Sequence, residues 1–259
     1  MGWRAGDGPR QIHRHASGED ELKSIRFIRH AESAANAGLP TSDPNMIPLT
    51  GNGKKAAERA ALEYNWPAPD LIVVSPYLRA RQTAEPFIAK FQKTKVESWP
   101  VQEFTYICAE KCIETTFAER KPMVEAYWEK ALPDYVDGPG AESFREFVAR
   151  ALGSLAKLRR REEEHVLVIC HGILMQAIEF YQKSSEDPAD PNSMRRFHQY
   201  MQKNPVPNLG AWNFPNPAVN RDQSGHGQGN GAIGNSTRPA RSPQPARKII
   251  RIERGDGNS

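Results

Sequence analysis

Asp70-Leu71-Ile72-Val73-Val74-Ser75-Pro76 is the stretch that decides the fold. Its apolar run is continuous, not alternating, which is the pattern of a strand covered on both faces in a parallel sheet. Ser75-Pro76 offers an N-cap followed by a proline at the first helical position, so a helix is expected immediately. That helix keeps Leu78, Ala84, Phe87, Ile88 and Phe91 on one side. Toward the N-terminus, residues 25–28 (Ile25-Arg26-Phe27-Ile28) read as a strand that stops at Arg29-His30. A Pro-, Gly- and Asn-rich loop is expected over 38–53, then a helix over 54–64 with Ala57, Ala60 and Ala61 as its small apolar face. Toward the C-terminus, residues 166–170 form another buried strand, and His171-Gly172 leads directly into a helix over 173–181.

Two capping boxes lie between these runs. Thr116-Phe117-Ala118-Glu119 opens a helix reaching about residue 130, and Ser143-Phe144-Arg145-Glu146 opens a second. The second carries Phe144, Phe147, Val148, Ala151, Leu152, Leu155 and Leu158 at helical spacing. One more helix is expected over 194–202. Strand–helix alternation of this kind predicts an α/β fold, three αβα layers around a mostly parallel sheet, with a small helical cap inserted at 104–141. The expected division is a flexible arm at 1–22, a catalytic domain at 23–204, and a Pro/Gly/Asn-rich tail at 205–259. From that tail, residues 248–252 could return as an edge strand.

With 259 residues, 38% hydrophobic and 25% charged, the chain is long enough for one sizeable domain plus appendages. The net charge of +4 equals that of residues 221–259, which hold seven basic and three acidic residues. The basic balance therefore belongs to the tail, and without interleaved aromatics it argues against a nucleic-acid partner. Residues 1–10 (MGWRAGDGPR) have no apolar signal-peptide core, and the apolar runs are too short to span a bilayer. Cys108, Cys112 and Cys170 are an odd number without a disulfide framework or a zinc set, so reduced thiols and a cytoplasmic location are expected.

In open parallel sheets ligands bind beyond the carboxyl ends of the strands. Here those ends carry Arg29-His30, Ser75 with Arg79 a turn later, and His171-Gly172. Two arginines and two histidines at helix N-termini and tight turns make a pocket for a dianion, since guanidinium groups clamp phosphate oxygens. Phosphoryl transfer relies on positioning and charge stabilisation. A neutral imidazole can attack phosphorus in line and leave a phosphohistidine for water to hydrolyse, given an acid for the leaving oxygen.

Several blocks carry a family resemblance. Ile28-Arg29-His30-Ala31-Glu32-Ser33 resembles the Arg-His-Gly signature of the histidine phosphatase (phosphoglycerate-mutase-like) superfamily. Asn36 follows where many members place an asparagine near the phosphate. Pro48-Leu49-Thr50 with Gly53, then Ser75-Pro76-Tyr77-Leu78-Arg79-Ala80-Arg81-Gln82-Thr83-Ala84, then Val168-Ile169-Cys170-His171-Gly172, are similar to its later blocks, in the family's order over roughly 24–182. The resemblance implies His30 as the phosphorylated nucleophile, Arg29, Asn36, Arg79 and His171 around the phosphate, and neither metal nor other cofactor. It places the general acid on a carboxylate after the second helix, which points to Glu103, with Glu97 and Glu110 nearby. Gly140-Ala141-Glu142-Ser143 also matches a block seen in relatives. Ala31 departs from the usual glycine, and a slightly different turn with little loss of activity is expected.

The leading expectation is a phosphomonoesterase acting on a small phosphorylated metabolite. A phosphoglycerate-type mutase would grip a carboxylate with extra cap cations, for which Lys111, Arg120, Lys121 and Lys130 are available. A non-catalytic phospho-ligand-binding protein has no need of the nucleophile.

Overall fold

A computed structural model of the chain describes residues 24–214. The arm at 1–22 and the candidate strand at 248–252 lie outside the described residues. Among the described residues five strands form one sheet: β1 (Ser24–Arg29), β2 (Leu71–Val74), β3 (Lys95–Ser98), β4 (His165–Cys170) and β5 (Ala211–Phe214), in the order β3-β2-β4-β1-β5. The pairs β1/β4, β2/β4 and β2/β3 are parallel, and β5 runs antiparallel on the outer edge of β1. Ile169 of β4 lies opposite both Ile28 of β1 and Val74 of β2. That register levels the carboxyl ends of three strands, so the residues following them share one edge.

Among the described residues six helices accompany the sheet: α1 (Gly51–Leu62), α2 (Leu78–Lys90), α3 (Phe117–Lys130), α4 (Phe144–Arg159), α5 (Gly172–Lys183) and α6 (Pro191–Lys203). Side chains alternate across a strand, so each face has its own core. On one face Ile28, Ile72, Val74, Leu167 and Ile169 pack with Ala61 of α1 and with Ala80, Ala84 and Phe87 of α2. On the other, Phe27, Val73 and Val168 pack with Phe147 and Leu155 of α4, Leu174 and Ile178 of α5, and Phe197 of α6. This is the three-layer α/β architecture read from the sequence. Both capping boxes form: Thr116 and Ser143 accept from the amides of Glu119 and Glu146, whose carboxylates bond back to the cap amides. In the 104–141 segment α3 is rooted by aromatic packing, with Phe104 stacked on Phe147 of α4 at 4.3 Å and Trp128 edge-on to Phe144 at 5.9 Å.

The structure departs from the sequence reading at four places. First, α1 begins at Gly51, inside the expected loop, because the Thr50 hydroxyl caps it by accepting from Gly53 N at 2.9 Å. Gly53 is required by close approach, since a Cβ there would lie 2.1 Å from the Glu32 carbonyl oxygen. Second, Ser75 does not cap α2. The helix starts at Leu78 behind Tyr77, without a side-chain cap, and the Leu78 amide is satisfied by the Asn45 carbonyl at 2.8 Å. Third, β3 was not foreseen: Lys95-Val96-Glu97-Ser98 is mostly exposed and carries the charged residues that protect a sheet edge, not an apolar pattern. Fourth, residues 205–214, assigned to the tail, run along β1 and end in β5, where Phe214 meets Phe27 edge-on at 5.6 Å.

Candidate active site

The loop after β1 places His30 at the centre of the strand-end edge. Its backbone amide extends the sheet by donating to the Cys170 carbonyl at 2.9 Å, and its side chain is only 3% exposed. His30 Nδ1 lies 2.7 Å from the Ala31 carbonyl, which can only accept, so Nδ1 carries the proton. Arg79 Nε, which can only donate, reaches His30 Nε2 at 3.1 Å. The lone pair therefore sits on Nε2, under a guanidinium. Burial, and then the Arg79 charge, hold the His30 imidazolium pKa well below its ordinary 6.5, so the ring is neutral. Ala31 is absent from the positive-φ residues, so the alanine adopts ordinary backbone angles. Its amide donates to Thr83 Oγ1 at 3.0 Å, and its methyl packs with Leu49 and Ala57.

His171 follows β4 directly, stands at the N-cap position of α5 and is fully buried, its ring centroid 5.1 Å from that of His30. Ser75 Oγ and His171 Nε2 are 2.7 Å apart, which explains why the serine is not a helix cap. Burial, followed by the Arg79 charge, also depresses the His171 pKa well below 6.5. His171 Nδ1 and Arg29 Nε are buried without a hydrogen-bond partner among the described residues. Such groups are costly unless a ligand completes them. Arg29 Nη1 is anchored on the Val206 carbonyl at 2.5 Å, and Gly172 lets the arginine pass close, 3.4 Å from where a Cβ would stand. Burial lowers the basicity of Arg29 and Arg79, and the Glu103 charge counteracts it in both.

Asn36 is exposed and joins the site through its amide oxygen. Asn36 Oδ1 accepts from Ser33 N at 3.2 Å, Ser33 Oγ at 3.0 Å and Asn208 Nδ2 at 3.0 Å. Its own NH2 is thereby left as the free end. Asn208 Nδ2 also donates to the His30 carbonyl at 3.0 Å.

Glu103 accepts from the amides of Ile173 and Leu174 at the start of α5, each at 3.2 Å, and from Phe104 N at 3.1 Å. It lines, with Arg79 and Tyr77, a cleft between the strand ends and the cap. The two other candidate carboxylates are elsewhere. Glu97 is engaged by Lys95 at 2.7 Å and Arg161 at 3.0 Å, and Glu110 is exposed in the 3-10 turn Ala109–Cys112. Glu142 forms a two-pronged ion pair with Arg150, whose Nη1 also donates to the carbonyls of Pro100 at 2.9 Å and Gln102 at 3.0 Å. This pair grips the chain directly before Glu103.

The structure thus brings His30, Arg79, His171, Arg29 and Glu103 together, with Asn36 linked through Asn208. Asn208 and Arg150 were not singled out as site residues from the sequence, and Ser75, noted at its strand end, was read as a helix cap. Asn208 sits in a stretch whose composition reads as tail, and Arg150 looks like an ordinary helix cation. Among the described residues no group of three or more His, Cys, Asp or Glu side chains is placed to hold a metal ion. Nor is any helix among them long and apolar enough to cross a membrane. Burial raises the Cys170 thiol pKa, which leaves it an inert core group.

The chain is similar to known proteins. The sequence profile described as histidine phosphatase superfamily (branch 1) matches residues 25–200. The chain is 27% identical over 161 residues to the uncharacterized phosphatase PhoE of Bacillus subtilis (strain 168), covering 61% of this chain and 76% of that protein. It is 26% identical over 159 residues to the 2-carboxy-D-arabinitol-1-phosphatase of Triticum aestivum, covering 61% of this chain and 32% of that longer protein. Among solved structures, a mycobacterial glucosyl-3-phosphoglycerate phosphatase shares the fold with a TM-score of 0.54 at 19% identity, covering 74% of this chain and 89% of that one.

Proposed function

This chain belongs to the histidine phosphatase superfamily, branch 1, and on that premise we propose that it is a phosphomonoesterase working through a phosphohistidine on His30. The observation that carries this reading is the tautomer of His30. Its proton is held by the Ala31 carbonyl, and its Nε2 lone pair faces a guanidinium that a phosphate dianion would draw off. A phosphate entering beside Arg79 offers that arginine a better acceptor than a neutral imidazole. Arg79 then moves onto the equatorial oxygens and uncovers Nε2. Arg29 Nε, His171 Nδ1 and the Asn36 NH2 supply further donors to the same oxygens. Nε2 attacks phosphorus in line, the ester P–O bond breaks, and the leaving oxygen takes its proton through the Glu103 carboxyl group. The phosphoimidazolium is stabilised by the Nδ1–H bond to Ala31. In the second half Glu103 takes a proton from water, which attacks phosphorus, and the P–N bond breaks to return neutral His30 and inorganic phosphate.

The mutase reading lacks its grip on a substrate carboxylate. Of the four cap cations only Arg120 lines the cleft. Lys111 pairs with Asp137 at 2.7 Å, Lys121 with Glu125 at 3.6 Å, and Lys130 lies over the Tyr135 ring at 5.7 Å. A purely binding role leaves the preset lone pair on His30 unexplained.

Rapid-quench labelling with a 32P-phosphate ester tests the mechanism. We expect an acid-labile, base-stable label on the wild-type protein, absent in His30→Ala, with turnover lowered by roughly a thousandfold or more. Undiminished turnover in His30→Ala would end this mechanism.

A further inference from the structure

Resting on the phosphatase reading, we infer that the alcohol released at this site is apolar and ring-sized. Arg79 and Glu103 fix where phosphorus and the leaving oxygen sit, and the rest of the cleft must hold the alcohol. That remainder is walled by Ile47, Tyr77, Ile107, Phe117 and Val124. The hydroxyl groups of Tyr77, Thr105, Ser42 and Thr41 each already have one partner inside the protein. Thr105 Oγ1 is 2.7 Å from the Tyr77 hydroxyl, Ser42 Oγ accepts from Glu114 N at 3.1 Å, and Thr41 Oγ1 accepts from Arg120 at 3.3 Å. Arg120 Nη1 is further held by the Thr115 carbonyl at 2.7 Å and the Thr115 hydroxyl at 3.0 Å. A substrate hydroxyl buried here exchanges water for apolar wall, and each one left unpaired weakens binding by roughly tenfold. A ring loses nothing polar and covers Phe117, which stands 59% exposed at the cleft mouth.

Benzyl, ethyl and glycerol 3-phosphates test this, because their leaving alcohols have comparable basicity and the comparison reads the fit of the alcohol. For the wild type we expect kcat/KM for the benzyl ester to exceed that for either of the others by about tenfold or more. Phe117→Ala alters an exposed side chain and Val124→Thr preserves shape while adding a hydroxyl, and each should shrink the benzyl-to-ethyl ratio severalfold. Equal kcat/KM for the three esters while His30 still becomes labelled would overturn the substrate class and leave the phosphatase reading standing. A benzyl preference untouched by both substitutions overturns the cleft assignment. No label and no phosphate release from any ester would remove the phosphatase reading and this inference with it.

Discussion

At His30 two weak local facts combine into a chemical statement. A carbonyl beside Nδ1 and a guanidinium beside Nε2 leave the ring one tautomer, with the nucleophilic atom already in position. The neighbouring Ala31 has its methyl fully buried against Leu49 and Ala57 without left-handed strain. Ala31→Gly should therefore not improve the protein. It removes a buried methyl and adds backbone freedom to the unfolded chain, costing about 1.5 kcal/mol in a urea titration. Turnover should stay close to the parent's, since the Ala31 carbonyl that holds His30 Nδ1 is retained. A more stable glycine variant would mean that the local turn is strained after all. The motif residues His30, Arg79 and His171 were legible because each sits within a few residues of a strand end. Asn208 was not, since its contact with the His30 carbonyl spans 178 residues and no local pattern announces it.

Among elements, the catalytic edge depends on segments that contribute no reacting group. The N-terminus of α4 brings Glu142, and its second turn brings Arg150, to clamp the Pro100 and Gln102 carbonyls just ahead of Glu103. Arg150→Ala should release that segment and misplace the carboxylate. We expect kcat to fall by roughly ten- to a hundredfold with KM changed far less, because positioning errors act on the reacting geometry. Arg150→Lys should fail to rescue, as an ammonium cannot reproduce the fork. Stopped-flow measurement of the phosphohistidine-forming step, beside a urea titration to verify folding, provides the check, and an unaltered rate would remove Arg150 from the machinery. Elements with strong local signatures were readable from sequence. The two capping boxes and the apolar runs of β2 and β4 each encode their own burial or termination. Edge strands β3 and β5 were missed because a half-exposed strand has no continuous apolar run, and its partner rather than its composition makes it a strand.

In the molecule as a whole, the same burial that keeps both site histidines neutral ties stability to pH. Their folded-state pKa values lie below 6.5, so below that pH the unfolded chain binds protons that the folded one refuses. This stabilising contribution is complete above pH 6.5 and is lost as the pH falls toward the folded values. The slope is at most about 1.4 kcal/mol per pH unit for each histidine. Urea titrations between pH 7.5 and 5 should show the decline, and replacing both rings by Asn should flatten it; an unchanged slope would place the linkage elsewhere. Taken by itself, the sequence determined the layers, the parallel strands β1, β2 and β4, the helices with their own caps, and which strand ends carry arginine and histidine. Those properties follow from burial and capping patterns a few residues long. The tertiary structure alone decided that three strands end level, that Arg79 covers the nucleophilic nitrogen, that Ser75 serves His171 instead of a helix, and that residues 205–214 complete the site. Each of these depends on sheet register and on hydrogen bonds between residues far apart in the chain, which short-range patterns do not encode.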